Sequence, residues 1–200
     1  MKTLSDETLL PAWDDLVHDA QRSFRTVLKA LSEPGLIQFM PVAIQGPAPL
    51  GSAATALALT LADFETPVWL APEADFASTQ SYLRFHCGCP LTPDPKVAAF
   101  AIVIDSLRNM TLASFAQGSP EYPDRSTTLL IQVASLTQGP VRVLSGPGIA
   151  ETRKLRVEGL PDDFDAQWLE NAAGFPLGVD VVFCCANAIV GLPRTTRIHV

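Results

Sequence analysis

The stretch VAAFAIVID, residues 97–105, decides the fold class because it is almost continuously apolar. A strand that packs against protein on one face alternates apolar and polar residues, whereas a strand covered on both faces does not. A second run, STTLLIQVASL at residues 126–136, has the same character. Two such strands predict a partly parallel sheet with covering layers on both of its faces.

The segments around these two strands predict alternating helices and strands. In WDDLVHDAQRSFRTVLKALSEPGL, residues 13–36, apolar side chains recur at the three- and four-residue spacing of a helix. The predicted apolar stripe of this helix is Leu16, Ala20, Phe24, Val27, Leu28 and Leu31. Asp14 or Asp15 caps its start, while Pro34 and Gly35 end it.

The rest of the chain continues this pattern and then becomes richer in strands. Further helices are predicted over residues 51–65, 73–85, 106–118 and 161–174. Strands are predicted at 36–42, 66–72 and 195–200, with a hairpin within 139–160 and two strands within 178–193 joined at Ala186 and Asn187. The expected architecture is one α/β domain, 1–200, with a mixed sheet flanked by helices. We expect roughly residues 1–12 to be a loose N-terminal segment.

Composition excludes several classes of function. The net charge is −7, which argues against general binding to nucleic acids or anionic membranes. The chain opens without the apolar core of a secretory signal, and no apolar run reaches the roughly 18 residues of a membrane span. We therefore expect a cytoplasmic protein whose four cysteines are reduced.

The segment RFHCGCP, residues 84–90, raises the question of a metal or redox site. Cys87 and Cys89 are spaced C-x-C, whereas a zinc site commonly uses two Cys pairs, or one pair with two His. Cys184 and Cys185 are adjacent in a predicted strand, so their side chains point to opposite faces. We predict no metal site, and ordinary thiols at all four positions. No lysine lies in a pattern suited to a pyridoxal phosphate aldimine, so no cofactor is expected.

Two groups of residues fit an anion site. Arg84 and His86 flank Phe85 at the end of a predicted helix, and Arg194, Thr195 and Thr196 follow a proline between strands. Cations and hydroxyls in fixed turns suit phosphate or carboxylate oxygens. The alternative is that Arg84 and Arg194 form structural ion pairs with carboxylates such as Asp63 or Asp180. The sequence leaves both interpretations open.

Seven blocks, in order along nearly the whole chain, resemble the PhnH family, which belongs to the bacterial carbon–phosphorus lyase core complex. They are DAQRSFRTVLKALSEPG, LTLADFETPVWL, LRFHCGCPL, LLIQVASL, LSGPGIAE, FPLGVD and LPRTT. Seven ordered blocks are far more specific than any single short motif in the chain.

This resemblance implies a fold, a process and a set of partners. The implied fold is that of the pyridoxal-phosphate-dependent transferases without the cofactor site. The implied role is an accessory subunit in phosphonate catabolism, which supports displacement of adenine from ATP by an alkylphosphonate to give ribose 1-phosphonate 5-triphosphate. The implied partners are a second copy of the chain, core subunits G, I and J, and the L subunit in the reaction. The family assigns no catalytic residue that can be transferred to this sequence.

Other functions stay open at this point. The chain could be a scaffold subunit without a ligand, or a free-standing enzyme on a small anionic substrate with His86 as acid or base. Contact with a phosphonate or ATP is a further possibility, and Arg84, His86 and Arg194 would then meet in one cleft.

Overall fold

The computed structural model describes residues 10–72, 76–104 and 111–199. Its helices are α1 Leu16–Ser32, α2 Ser52–Leu61, α3 Ala77–His86 and α4 Phe164–Ala173. Its strands are β1 Gln38–Phe39, β2 Val68–Leu70, β3 Phe100–Val103, β4 Thr128–Gln132, β5 Val141–Ser145, β6 Arg153–Arg156, β7 Asp180–Cys185, β8 Ala188–Leu192 and β9 Arg197–His199. The predicted α/β class with a mixed sheet is confirmed. Most of the predicted loose N-terminal segment, residues 1–9, lies outside the described residues.

Within the described residues, the large sheet has six strands in the order β1-β8-β7-β4-β3-β2. Strands β2, β3, β4 and β7 are parallel, whereas β8 is antiparallel to β7 and β1 is antiparallel to β8. Residues on both faces of the central strands are buried: Leu129 and Ile131 are 0 % exposed, and Leu130 between them is 1 % exposed. The sheet therefore needs a covering layer on each side, as the apolar runs predict.

One face of the sheet is covered by α1, α2 and α3, which pack side by side. Gly191 of β8 faces this layer, since a methyl group placed there would lie 2.3 Å from the carbonyl oxygen of Ala30 in α1. Val182 pairs with Gly191, so its neighbour Phe183 points to the opposite face. There the ring of Phe183 meets Phe164 of α4 at 5.9 Å between centroids.

The second sheet is antiparallel and has the strand order β6-β5-β9. The predicted hairpin supplies β5 and β6, and the C-terminal strand β9 joins β5 on its other side. Indole Nε1 of Trp168 in α4 donates to the carbonyl oxygen of Thr196, just before β9, at 2.9 Å. This bond ties the small sheet to α4 and so to the second face of the large sheet.

The first helix begins and ends as the sequence predicts. Asp15 is the N-cap, and its carboxylate accepts from the backbone N–H groups of Val17 and His18. These bonds hold the pKa of Asp15 below its ordinary value, with the His18 N–H as the largest cause. Gly35 has φ +75°, the left-handed conformation expected after the helix.

Two predictions about helices need correction. The predicted helix over 106–118 is wrong in its described part, residues 111–118, where only Leu112–Ser114 form one 3-10 turn. Ala116 instead exchanges hydrogen bonds with Thr127, just before β4, which pulls the chain into an extended form. In α1, Leu16, Phe24 and Leu28 are exposed, because the buried face is formed by Asp19, Ser23, Val27 and Ala30.

The contact of Gly191 with α1 gives a stability prediction. Replacing Gly191 with Ala forces helix and strand apart, and such overpacking costs about 1–3 kcal/mol of unfolding free energy. Gly174→Ala is the matched control, because the nearest atom that its added methyl would meet lies 3.5 Å away. Urea denaturation should show a lowered midpoint for Gly191→Ala alone. Equal midpoints for the two variants would contradict the close packing.

Candidate functional site

Arg194 lies at the amino ends of β4 and β7, and all three nitrogens of its guanidinium form hydrogen bonds within the protein. Its Nη2 lies 2.5 Å from Oδ2 of Asp180, and its Nε lies 3.2 Å from Oδ1. Nη1 donates to the carbonyl oxygens of Pro123 at 3.0 Å and Pro176 at 3.3 Å, and Nη2 also donates to the hydroxyl of Ser126. The backbone N–H of Arg194 donates to the same Asp180 carboxylate at 2.8 Å.

These contacts match the ion-pair alternative for Arg194. The side chain is only 11 % exposed and the Asp180 side chain 23 %, so water screens the pair weakly. The guanidinium joins the start of β7 to the loop before β4 and to the turn after α4. The guanidinium therefore holds three segments together, and its N–H donors are already used in these contacts.

Thr195 and Thr196 continue this turn. Thr196 is fully buried, and among the described residues its hydroxyl has no hydrogen-bond partner. Its carbonyl oxygen accepts from Trp168, and its N–H donates to the carbonyl oxygen of Pro193. Thr196 therefore belongs to the core beneath β9, while Thr195 beside it is half-buried.

His86 lies in the last turn of α3 and packs inward. Its Nε2 donates to the carbonyl oxygen of Leu10 at 3.0 Å, and its ring lies 4.3 Å from the Tyr82 ring between centroids. The Tyr82 hydroxyl donates to the carbonyl oxygen of Pro11 at 3.2 Å, and burial raises the pKa of Tyr82 to about 12. Tyr82 and His86 thus hold residues 10 and 11 against α3. Nε2 of His86 is used in this contact, so that nitrogen is not free to act as an acid or base.

Arg84 points away from His86, toward the edge of the large sheet. It lines a cavity of about 550 Å³ together with Gln80, Thr92 and residues of β2. The side chain is exposed, and its guanidinium forms no ion pair within residues 10–72, 76–104 and 111–199. Three cavities of the described chain measure about 210, 550 and 460 Å³. Of the five residues predicted to bind an anion, only Arg84 lines any of these three, and none of the three is lined by both Arg84 and Arg194.

The thiols of Cys87 and Cys89 interact with each other across the glycine between them. The Cys87 thiol donates to the carbonyl oxygen of Ala58 at 3.7 Å and the Cys89 thiol to that of Leu83 at 4.0 Å. The closeness of the two thiols raises the pKa of Cys87 and lowers that of Cys89. Cys184 lies in β7, far from this pair in the sheet order, and burial raises its pKa. In the described part of the chain, no group of three or more His, Cys, Asp or Glu side chains is placed to hold a metal.

Open α/β sheets commonly bind ligands beyond the carboxyl ends of their parallel strands. In this protein, other parts of the chain occupy that position. The Gly51 N–H at the start of α2 donates to Oε1 of Gln132 at 2.7 Å, and Ala53 N–H donates to the carbonyl oxygen of Ala186. The Gln132 amide in turn donates to the carbonyl oxygen of Pro49. These N–H groups, which could hold a phosphate at the helix start, are therefore already bonded.

A cavity that the sequence did not indicate lies at the amino ends of β3 and β4. It measures about 460 Å³ and is lined by Lys96, Gln117, Ser119, Tyr122 and Arg125 among others. The Arg125 guanidinium lies over the Tyr122 ring at 4.1 Å from the centroid. Within the described ranges, neither Lys96 nor Arg125 forms an ion pair. The two cations are 29 positions apart, so only the parallel pairing of β3 and β4 brings them together.

Comparison with known proteins decides the family. The family model for bacterial phosphonate metabolism protein (PhnH) matches residues 11–199. The chain belongs to this family. Alpha-D-ribose 1-methylphosphonate 5-triphosphate synthase subunit PhnH of Rhizobium meliloti (strain 1021) is 40 % identical over 188 residues, which are 94 % of each chain. The putative C-P lyase subunit protein HtxG of Stutzerimonas stutzeri is 29 % identical over 180 residues, 90 % of this chain and 85 % of HtxG.

Family membership confirms the resemblance that the seven sequence blocks carry. Both relatives are named as subunits, so the chain is related to proteins that work within larger assemblies. The likeness to the pyridoxal-phosphate-dependent transferase fold is a finer statement than the mixed α/β sheet, and it stays a prediction. None of the described helices is both long and apolar enough to cross a membrane.

The Arg194 contacts give the next prediction. Arg194→Ala removes the charged partner of the partly buried Asp180 carboxylate and leaves it only the backbone N–H of residue 194, which costs up to about 3–5 kcal/mol. Thermal unfolding of Arg194→Ala should therefore occur at a clearly lower temperature, while Arg197→Ala, on the exposed side of β9, serves as the control. A purely ligand-binding Arg194 predicts the reverse pattern, with an unchanged melting temperature and lost activity.

Proposed function

We propose that this chain is an accessory subunit of an alpha-D-ribose 1-methylphosphonate 5-triphosphate synthase, acting through partners rather than alone. It would support displacement of adenine from ATP by an alkylphosphonate during phosphonate catabolism. The identity of 40 % to a synthase subunit over nearly the full length of both chains supports this assignment. The structural observation that carries it is an apolar face of α1 that the described chain leaves uncovered.

This face, which we call the α1 outer face, consists of Val17, Phe24 and Leu28. Their exposed fractions are 71 %, 44 % and 51 %. At 100° per residue they lie together, about 120° around the helix from the buried face formed by Asp19, Ser23, Val27 and Ala30. A helix that buries one face in its own core and leaves a second, apolar face in water is suited to pack against another polypeptide.

One more exposed apolar residue follows the end of the helix, since Leu36 is 40 % exposed. Phe39 of β1 is 70 % exposed but is not part of this surface. It pairs with Ala188, which points to the face opposite Gly191, so Phe39 lies on the face of the sheet away from α1. Val17 and Leu28 are 11 positions apart in the helix, so the α1 outer face extends over about 17 Å. We infer that a different subunit of the synthase packs on this surface, because the relatives are named as subunits of larger enzymes.

The specific partners follow the family resemblance. We propose that core subunits G, I and J, with the L subunit in the reaction, are the proteins involved, and that the isolated chain is a homodimer. Two-fold dimers are the commonest homo-oligomers. Light scattering of the purified chain measures this state directly, and a strict monomer would contradict the dimer.

Assembly through α1 predicts the effect of a charge on its outer face. Phe24→Glu should leave the melting temperature nearly unchanged, because the ring is already partly in water. In the co-expressed complex it should weaken association about tenfold or more, since burying an aromatic side chain contributes roughly 1.5–3 kcal/mol. Adenine release by the purified complex should fall in proportion to the subunit lost.

The matched control is Ala166→Glu, which places the same charge on an exposed position of α4, across the sheet from α1. It should assemble as the wild type does. If Phe24→Glu and Ala166→Glu co-purify equally with the other subunits, the α1 outer face is not the contact. If omitting the chain altogether leaves adenine release unchanged, the proposed function itself is wrong.

A second role is direct contact with an anionic substrate of the complex, and the cavity of Lys96 and Arg125 favours it. Both cations are exposed and form no ion pair in the described part of this acidic chain, and the Tyr122 ring forms an aromatic wall beside them. Glu121 lies near the rim, where it accepts from the Ser119 hydroxyl at 3.3 Å. Two cations and an aromatic wall suit a phosphate-bearing ligand with a planar ring.

This role predicts a change in substrate affinity without a change in assembly. Arg125→Ala and Lys96→Ala should each raise the KM of the complex for its anionic substrates, by roughly tenfold if one charge-assisted contact is lost. Lys154→Ala, on the exposed side of β6, is the control. Unaltered KM values for ATP and for methylphosphonate in both variants would restrict the chain to an assembly role.

A further inference from the structure

Strand β2 is an edge strand of the large sheet, and among the described residues only the first part of its outer side is paired. The Val68 N–H donates to the carbonyl oxygen of Pro90 at 2.8 Å, and its carbonyl oxygen accepts from the Thr92 N–H at 3.0 Å. The backbone N–H and C=O of Trp69 point toward β3, as its pairing with Ala101 requires. Because successive residues alternate, Leu70 directs its N–H and C=O to the same outer side as Val68.

The segment that pairs with Val68 leaves the sheet before it reaches Leu70. Pro93 follows Thr92 and has no N–H to donate, and Pro95 begins a 3-10 turn two residues later. The Thr92 hydroxyl accepts from the Asp94 N–H at 3.1 Å, which bends the segment away from β2. Across the described residues, no hydrogen bond reaches the outward N–H and C=O of Leu70.

The cavity of about 550 Å³ lies along this open edge. Leu70 of β2, Thr92 and Pro93 of the paired segment, and Gln80 and Arg84 of α3 all line it. Gln80 and Arg84 are four residues apart on a helix, so both lie on the side of α3 that lines the cavity. The cavity therefore combines three features. Among the described residues, the strand edge at Leu70 is unpaired and Arg84 forms no ion pair, although its charge helps to lower the pKa of Cys89. The amide of Gln80 lies beside them.

We propose that an extended segment of another subunit, bearing an acidic side chain, adds to the outer side of β2. Its backbone pairs with the N–H and C=O of Leu70, and its carboxylate forms an ion pair with Arg84. Strand addition at an open edge takes its affinity from main-chain hydrogen bonds and its specificity from neighbouring side chains. The inference rests on the proposed function, since it requires that the chain works within a complex.

The chemistry of the cavity favours this occupant over a free phosphate or phosphonate. A small dianion is usually held by several cations or N–H donors, whereas Arg84 is the one charged side chain that the described residues contribute to this cavity. The remaining wall is mainly apolar and proline-rich, with Val68, Trp69, Leu91, Pro93 and Pro95. A peptide satisfies both the strand edge and the cation, while a lone anion leaves the backbone groups of Leu70 unpaired.

The test is amide hydrogen exchange at residue resolution on the isolated chain and on the co-expressed complex with the other synthase subunits. Strand addition predicts that the Leu70 amide exchanges at least tenfold more slowly in the complex. Arg84→Glu should weaken association roughly tenfold to hundredfold, the range for a charge-assisted contact. Lys154→Glu carries the same charge change on β6 and should have no effect.

A second variant addresses the backbone directly. Leu70→Pro removes an outward N–H, which an edge strand tolerates, so the melting temperature should change little while association weakens. A complex that forms normally, with the Leu70 amide unprotected and Arg84→Glu assembling as wild type, overturns the strand addition and leaves the proposed function standing. If no complex forms at all, both fail.

Titrating the isolated chain with inorganic phosphate and with methylphosphonate distinguishes a small-molecule site. Strand addition predicts no saturable shift of the Gln80, Arg84 or Leu70 resonances at millimolar anion. Saturable shifts abolished by Arg84→Ala would instead assign the cavity to a free anion and overturn the peptide.

Discussion

The structure depends on the burial of β3, β4 and β7 on both faces. Backbone groups of these strands are satisfied within the sheet, so each face presents apolar side chains that must be covered. Helices α1, α2 and α3 cover one face, and α4 with the small sheet covers the other. The apolar surface that these layers cover is satisfied within the chain. The apolar residues that stay exposed on α1 and the open edge at β2 are not, and for that reason we propose them as contacts with other molecules.

Much of the fold could be predicted from the sequence because it depends on local patterns. The apolar runs predict the covered strands, Asp15 and Gly35 mark the ends of α1, and Ala186 with Asn187 marks the turn between β7 and β8. The predicted helix after β3 is wrong because Ala116 bonds to Thr127, a contact that depends on which strands become neighbours. The spacing of apolar residues in α1 predicts one buried face. It does not show which side of the helix packs against the protein's own core, so exposed and buried apolar residues are grouped together.

The candidate sites were harder to predict because they depend on which arginines already form hydrogen bonds and ion pairs within the protein. Arg194 and Asp180 are 14 positions apart, and only the antiparallel pairing of β7 and β8 shows that they meet. Arg153 likewise reaches the carbonyl oxygen of Pro34 at the end of α1, at 2.6 Å. Arg84, in contrast, lines a cavity and forms no ion pair with any described residue, which suits it to bind something outside the chain. Whether the donors of a guanidinium are free is a property of the packed structure and of no short motif.

The two proposed contacts lie at opposite sides of the large sheet, which bears on how the chain would work in a complex. Strand β1 and the end of α1 lie at one edge, and β2 lies at the other, five strand spacings or about 24 Å away. A subunit docked on α1 and a segment added to β2 would therefore not compete for the same surface, and the doubly covered sheet would fix the distance between them. For a reaction that must align two substrates, a fixed spacing between partners lowers the entropic cost of bringing the reacting groups together. The chain can then be essential to the reaction even if none of its own side chains takes part in the bond-making step.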